Sequence, residues 1–299
     1  MYRPKTTLEQ WRMLQAVVDH GGYAQAAAAL NKSQSSLNHA VAKLQDQLGV
    51  PLLEVKGRKA FLTPTGEVLL RRSRALTDTV ETLEGLAKNI ESGWEPEIRL
   101  SVESVYPYAL QIELLERFGP QSRGSRLQVF NSVITGSEEL ILEGLVDVAI
   151  TSIIPRGFIG LALMSIDLIP VVHHSHPLAS REGAINADEL AQELQLVIRD
   201  TAHRPKEVSG WLKAENRWTF SHFYDALQVL EGGMGFMWIP QHWVEGKLAE
   251  GSLKLLSIKD GGRRTAVMNL VVPDPDQIGP GTRLLVDTIK DLHGLPVDN

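Results

Sequence analysis

Apolar residues follow a helical period near the start of the chain. From Leu8 to Val18 they keep the spacing of one face of a helix, and Thr7 with Gln10 forms a plausible capping box before them. Gly21 interrupts the pattern. We therefore expect a first helix that ends at this glycine.

A second apolar stripe predicts a helix from Ser33, whose hydroxyl can cap the first turn, to Gly49, which tolerates the left-handed conformation after a helix. The stripe consists of Leu37, Val41, Leu44 and Leu48. The polar side chains lie off this stripe and offer groups that suit base edges and phosphates: Gln34, Ser35, Asn38, His39 and Lys43.

The segment before this helix favours a DNA-reading motif. It is rich in alanine from Ala24 to Ala29, so two helices can cross closely, and the turn at Asn31 and Lys32 is short. A tight turn followed by a polar-faced helix predicts a helix-turn-helix whose second helix enters the major groove. The alternative is an ordinary helical hairpin with a solvated polar face.

A two-stranded wing follows the recognition helix. Apolar segments at 50–55 and 60–62 flank the basic turn Lys56-Gly57-Arg58-Lys59. We expect Lys56 and Arg58 to contact phosphates or a minor groove. The alternative is a solvated hairpin tip.

From residue 65 to residue 92 the pattern predicts one long helix. Leu69, Leu76, Leu83 and Ile90 repeat every seven residues, which is the spacing of a coiled-coil seam. We expect this linker helix to pair with a second copy of the chain, giving a homodimer or a dimer of dimers. The alternative is that the seam packs against the rest of its own chain.

Beyond Gly93 short apolar strands alternate with helices, which predicts an open α/β domain with a largely parallel sheet. In such sheets ligands bind at the carboxyl ends of the strands. The residues at those ends are Glu103, Ser104, Val105, Ser132, Val133, Thr151, Ser152, Asp200, Thr201 and Ser221. Hydroxyl groups suit an anion, but Glu103 and Asp200 repel one unless they are protonated or paired. Alternatively, each of these carboxylates caps its own helix.

Charge is unevenly distributed along the 299 residues. The net charge is −6, but residues 1–72 carry +5 and residues 73–299 carry −11. A phosphate-binding surface is therefore expected in the first quarter of the chain. The chain contains no cysteine, which excludes disulfides, thiolate metal sites and iron–sulfur clusters. It has neither a signal core nor a long apolar run, so we expect a cytoplasmic protein that does not contact membranes.

Other functional classes fit the sequence less well. The cluster His173-His174-Ser175-His176 has poor spacing for a metal site, and no motif of a catalytic nucleophile or a phosphate-binding loop is present. We therefore expect no enzyme activity, cofactor or metal. An architectural DNA-binding protein without a ligand is a third class, but a long acidic body adds nothing to groove binding.

The sequence resembles the LysR-type transcriptional regulators over nearly its whole length. The likeness rests on four segments: Ser33-Gln34-Ser35-Ser36-Leu37, Leu44 to Leu52, Leu62-Thr63-Pro64-Thr65-Gly66 and His176-Pro177-Leu178-Ala179. It departs from that family at Asn38, His39 and Val55, where serine, arginine and arginine are frequent.

The resemblance implies a winged helix-turn-helix (1–64), a linker helix (65–92) and an effector domain (93–299) shaped like a periplasmic binding protein. Subdomain I of the effector domain is then 93–162 with 268–299, and subdomain II is 163–267. The implied partners are double-stranded DNA with inverted-repeat half-sites, a small-molecule effector in the cleft and, for an activator, RNA polymerase. The full DNA-binding set is then Ser33, Gln34, Ser35, Ser36, Asn38, His39, Lys43, Lys56 and Arg58.

Overall fold

The computed structural model describes residues 3–56, 59–205, 212–259 and 262–297. The chain forms two compact units, Met1–Glu91 and Ser92–Asn299. Of the helices within the described ranges, none combines the length and hydropathy needed to span a bilayer.

The N-terminal unit is a helical domain with a small hairpin. Its elements are α1 (Leu8–Asp19), α2 (Tyr23–Ala29), α3 (Gln34–Leu48), β1 (Leu53–Lys56), β2 (Lys59–Leu62) and α4 (Pro64–Glu91). The capping box at Thr7 and the serine cap at Ser33 are both present, and Gly49 has a φ of 71°. The predicted start of α1 and both predicted limits of α3 are therefore confirmed, whereas α1 ends at Asp19, two residues before the predicted glycine.

The core of this unit lies under the apolar stripe of α3, where Leu37, Val41 and Leu44 are fully buried. Of the alanines of α2, Ala26 and Ala27 are buried against this core. Small side chains at these positions let α2 approach α3 closely.

Helix α4 begins against the hairpin. A Cβ added to Gly66 would lie 2.1 Å from the carbonyl oxygen of Leu52, so only glycine permits this approach. Leu70 and Ser73 are buried in the N-terminal unit, whereas Leu76, Leu83 and Ile90 are 50%, 60% and 49% exposed. The first turns of α4 thus complete its own unit, and the apolar seam beyond them is exposed in the single chain.

The C-terminal unit is built on one mixed sheet. Its strands are β3 (Glu97–Glu103), β4 (Arg126–Ser132), β5 (Val148–Thr151), β6 (Gly160–His173), β7 (Gln195–Ile198), β8 (Arg217–Phe220), β9 (Phe236–Pro240), β10 (Leu253–Leu255) and β11 (Arg264–Val271). In the described residues the order is β4-β3-β5-β11-β6-β9-β7-β8, with β10 paired to β6.

The sheet differs from the largely parallel one that the pattern predicts. The strands β3, β4 and β5 are parallel in one half, as are β7, β8 and β9 in the other, but β6 and β11 run antiparallel to their neighbours and to each other. Only parts of these two long strands are continuous buried runs. Their exposed ends therefore did not resemble strands in the sequence.

Helices cover both halves of this sheet. They are α5 (Tyr108–Phe118), α6 (Gly136–Leu142), α7 (Ala187–Ala191), α8 (Phe223–Glu231), α9 (Gln241–Glu250) and α10 (Pro280–Leu292). Because β6 and β11 run through both halves, the unit has two lobes joined by a continuous ladder. The pairing shifts register between Met268 and Asn269, which marks a bulge in β11.

Candidate functional site: a nucleic-acid interface and a ligand cleft

The start of α3 presents a row of exposed polar side chains. The exposed residues include Ser33, Gln34, Ser35, Ser36, Asn38, His39 and Lys43, as predicted for the DNA-binding set. The Ser33 hydroxyl accepts the Ser36 amide at 3.2 Å and lies 3.0 Å from the Ser35 hydroxyl. Ser33 therefore caps the helix, and its neighbours supply the polar surface.

The cations near this surface differ in their pairing. Lys32 forms an ion pair with Glu9 at 2.7 Å, whereas Lys43 forms no ion pair within the described part of the chain. The exposed Lys43 ammonium is therefore available to an anion, whereas the Lys32 ammonium is held by Glu9.

A side chain of α3 also fixes the hairpin. The amide oxygen of Gln45 accepts the backbone amides of Leu52 at 2.7 Å and Leu53 at 3.0 Å, so the hairpin begins at a set distance from α3. The sequence analysis did not single out Gln45, because a polar residue between apolar positions is ordinary in an amphipathic helix. The strands β1 and β2 pair antiparallel as predicted, and Lys56 ends β1. The predicted contact of Arg58 lies outside the described residues.

Two adjoining cavities lie where strand ends of the two lobes converge. The first, which we call the Glu103 cavity, has a volume of about 400 Å³. The second, the tyrosine cavity, has about 650 Å³ and is lined by Tyr106, Tyr108 and Tyr224. Ser104, Val133 and Phe223 line both. Both volumes are in the range of small-molecule sites.

Most of the residues predicted for the effector site line one of these cavities. Glu103, Ser104, Val105, Val133 and Ser152 line the Glu103 cavity, and Ser104, Val133, Thr201 and Ser221 line the tyrosine cavity. The structure brings them together because parallel strands end at the same edge of each lobe.

Glu103 is the most buried charged residue of the cleft wall, with 5% of its surface exposed. Its carboxylate accepts the Ser152 amide at 2.6 Å, the Ser152 hydroxyl at 2.9 Å and the Thr151 hydroxyl at 3.4 Å. Burial raises the pKa of the Glu103 carboxyl, and these hydrogen bonds oppose the rise. Glu103 therefore binds the end of the neighbouring strand β5, instead of capping its own helix as the alternative above required.

Three predicted effector residues line neither cavity, since their polar atoms are bonded inside the protein. The Ser132 hydroxyl pairs with that of Ser137, which also bonds to Ser101 at 2.9 Å. Thr151 is fully buried beside Glu103. The carboxylate of Asp200 accepts the Thr135 hydroxyl at 2.6 Å and the Ala202 amide at 2.9 Å.

The lobes touch beside the cleft. The Thr201 hydroxyl accepts the Val133 amide at 2.9 Å. A Cβ added to Gly136 would lie 1.9 Å from the same hydroxyl oxygen, so this contact requires glycine at the start of α6. Together with the Asp200–Thr135 bond, this contact places residues 200 and 201 directly on the opposite lobe.

Sequence reasoning missed Arg264 and Trp238 on the wall of the Glu103 cavity. The Arg264 guanidinium lies 4.2 Å from the centre of the Trp238 ring, and the indole N–H donates to the Gly262 carbonyl at 2.7 Å. Burial lowers the pKa of Arg264. These residues belong to β11 and β9, which meet the cavity only because both strands flank β6. Nothing in the sequence around either residue indicates that it lies close to the cavity.

His176 has a structural role. It is 8% exposed, and its ring Nδ1 accepts the Leu178 amide at 3.2 Å. Burial lowers its pKa, so the neutral ring that accepts this hydrogen bond is favoured. The His173 ring bonds instead to the Ser175 hydroxyl at 2.8 Å.

Comparisons with known proteins agree with this architecture. Residues 8–67 match the bacterial regulatory helix-turn-helix protein, lysR family. Residues 91–293 match the LysR substrate binding domain.

Individual relatives cover most of the chain. It is 29% identical to the uncharacterized HTH-type transcriptional regulator YeeY of Escherichia coli, covering 83% of this chain and 82% of that protein. It is 26% identical to the probable regulator YhaJ of the same organism, covering 84% and 86%. The full-length structure of LysG from Corynebacterium glutamicum with bound effector Arg has a TM-score of 0.53 at 16% identity, covering 96% of this chain and 98% of that one, which shows a shared fold.

Proposed function

Because the chain belongs to the LysR-type family of DNA-binding transcriptional regulators and carries its effector-binding domain, we propose that a small molecule bound between the two lobes controls its binding to DNA. The cavities between the lobes provide the space, and the polar surface of α3 provides the contacts to DNA. A ligand that binds more tightly to one arrangement of the lobes shifts the equilibrium toward that arrangement. The size of the shift is set by the difference in its affinity for the two arrangements.

One observation carries the ligand site. The Ser104 hydroxyl oxygen is buried and has no hydrogen-bond partner among the described residues, although Ser104 lines both cavities. Leaving a buried hydroxyl unpaired is unfavourable, and buried polar groups in proteins normally have partners. A polar group of a bound ligand supplies the missing partner.

On the DNA side, we infer that α3 enters the major groove and that the wing contacts the flanking backbone. The exposed seam of α4 pairs two chains, which then bind half-sites related by an inverted repeat. Helix α4 supports this assembly because its residues Leu76, Leu83 and Ile90 are about half exposed.

A screen with a matched pair of variants tests the effector site. Metabolites that raise the melting temperature of the full chain are titrated by calorimetry into the parent, Ser104→Ala and Ser122→Ala. The lost hydrogen bond at Ser104 should cost about 1 kcal/mol, roughly five-fold in affinity. Ser122→Ala removes a hydroxyl outside both cavities and should bind as the parent does. Equal affinities for all three proteins would place the effector elsewhere.

A further inference from the structure

The wall of the Glu103 cavity is largely apolar, but it holds two charged residues of opposite sign. Of the described residues that line it, only Glu103 and Arg264 carry a formal charge at neutral pH. The same wall includes apolar side chains such as Val105, Ile134 and Leu196. An apolar cavity with one acidic and one basic group suggests a ligand that carries both charges.

The acidic group has no cationic partner in the part of the chain that the structure describes. The bonds to the Glu103 carboxylate come from one backbone amide and two hydroxyls. A carboxylate has about four acceptor positions, two on each oxygen. Because Oε1 accepts only the Ser152 hydroxyl, it has one acceptor position left. Asp200 adds further negative potential at Glu103. An anion alone is therefore repelled here.

The basic group is likewise without an ion pair among the described residues. The Arg264 guanidinium is placed over the Trp238 ring. The carboxylate of Asp167, which faces Thr265 across the ladder of β6 and β11, is bonded to Arg263 at 2.7 Å and to Thr265 at 2.7 Å. Five N–H donors of a guanidinium suit a carboxylate, which they can bind with two parallel hydrogen bonds.

We propose that the Glu103 cavity binds a zwitterion, an amino acid or a related aminocarboxylate, with its ammonium on Glu103 and its carboxylate on Arg264. This inference rests on the proposed effector site and adds the class of ligand. A ligand with a single charge leaves the other charge, buried at Glu103 or half-buried at Arg264, without an ionic partner, which is costly at low dielectric. Glu103 ends β3 in one lobe. Arg264 begins β11 opposite Leu168 of β6, and Leu168 pairs on its other side with Pro240 of β9 in the other lobe. A zwitterion bound at both charges would therefore link the lobes through its two ends.

The test compares ligands that share a carbon chain and differ in charge. The probes are the straight-chain ω-amino acids from aminobutanoate to aminooctanoate, each beside the alkylamine and the fatty acid of the same length, and then the proteinogenic amino acids. Binding to the full chain is measured by calorimetry in one buffer. We expect at least one zwitterion to bind ten-fold or more tightly than its matched amine and acid.

Charge variants locate the two ends of that zwitterion. Glu103→Gln keeps the shape of the side chain and should weaken binding of the zwitterion at least ten-fold without weakening binding of the fatty acid. Arg264→Gln should weaken binding of the zwitterion to a similar extent without weakening binding of the amine. Arg264→Lys should bind the zwitterion more tightly than Arg264→Gln does. Glu97→Gln on the same strand and Arg263→Gln beside Arg264 remove the same charges outside the cavity and should bind as the parent does.

Two results overturn the proposal: no zwitterion binds better than its matched amine and acid, or Glu103→Gln and Arg264→Gln bind it as the parent does while their melting curves show intact folds. If an uncharged or singly charged compound instead binds and is weakened by Ser104→Ala, the cleft remains the effector site and only the zwitterionic class is wrong. If no metabolite of the screen depends on Ser104, the proposed function itself fails.

Discussion

At the scale of single residues, Asn38 and Lys43 form a test pair, because both are exposed on α3 and differ in what they offer to DNA. Alanine at Asn38 should cost about 1 to 3 kcal/mol at particular base pairs, because an amide can read a base edge. Alanine at Lys43 should weaken all sequences alike and reduce the salt slope of binding by roughly one, because a phosphate contact releases a counterion. Anisotropy titrations over single-base operator variants at several salt concentrations measure both. Lys88→Ala, at the far end of α4, is the charge control, and identical base profiles for Asn38→Ala and Lys43→Ala would contradict these roles.

At the scale of elements, α4 is 28 residues long, and its apolar seam is exposed from Leu76 to Ile90. Glutamate at both Leu76 and Leu83 should convert the proposed dimer to single chains, because like charges in a coiled-coil seam repel each other and displace its apolar contacts. Light scattering measures the mass, and circular dichroism checks that the helix content is kept. Glutamate at Ala75 and Thr82, which are exposed neighbours outside the seam, is the matched control and should retain the dimer mass. A folded seam variant with the parent mass would show that the chains pair elsewhere.

At the scale of the whole molecule, a ligand bound to the C-terminal unit should change the affinity of the N-terminal unit for DNA, and DNA should change the affinity for the ligand by the same factor. Coupling of this kind is typically 1 to 3 kcal/mol, roughly 5 to 150-fold, and it is reciprocal. Calorimetry of a screened compound with and without operator DNA gives the factor in one direction, and DNA titrations with and without the compound give it in the other. A duplex without the operator is the control. A factor of one in both directions would show that the two equilibria are not linked as proposed.

Much of the N-terminal unit could be predicted because its rules are local. Thr7, Ser33 and Gly49 set helix limits through contacts within a few residues, and the stripe of α3 faces the core that its period indicates. The strand ends that line the cleft were found for a similar reason, since each follows a short segment whose apolar residues predicted a strand.

The rest of the cleft depends on contacts between distant segments. Arg264 and Trp238 meet only through the order of β11, β6 and β9, and no local pattern encodes that order. For Ser132 the position at a strand end was predicted correctly, but the direction of its side chain was not, because its hydroxyl points inward to Ser137. A sequence indicates that a hydroxyl is present more readily than the direction in which it points.

The long pair of β6 and β11 restricts how the two lobes can move. A slip of one residue along this ladder would reverse every side chain on both strands and expose residues such as Met268 and Ile166, which are buried. Sliding is therefore excluded, while bending costs little where the bulge at Met268 and Asn269 already interrupts the regular pairing. The ladder therefore permits bending but not sliding. Binding in the cleft can then affect the rest of the chain only through a change in the angle between the two lobes.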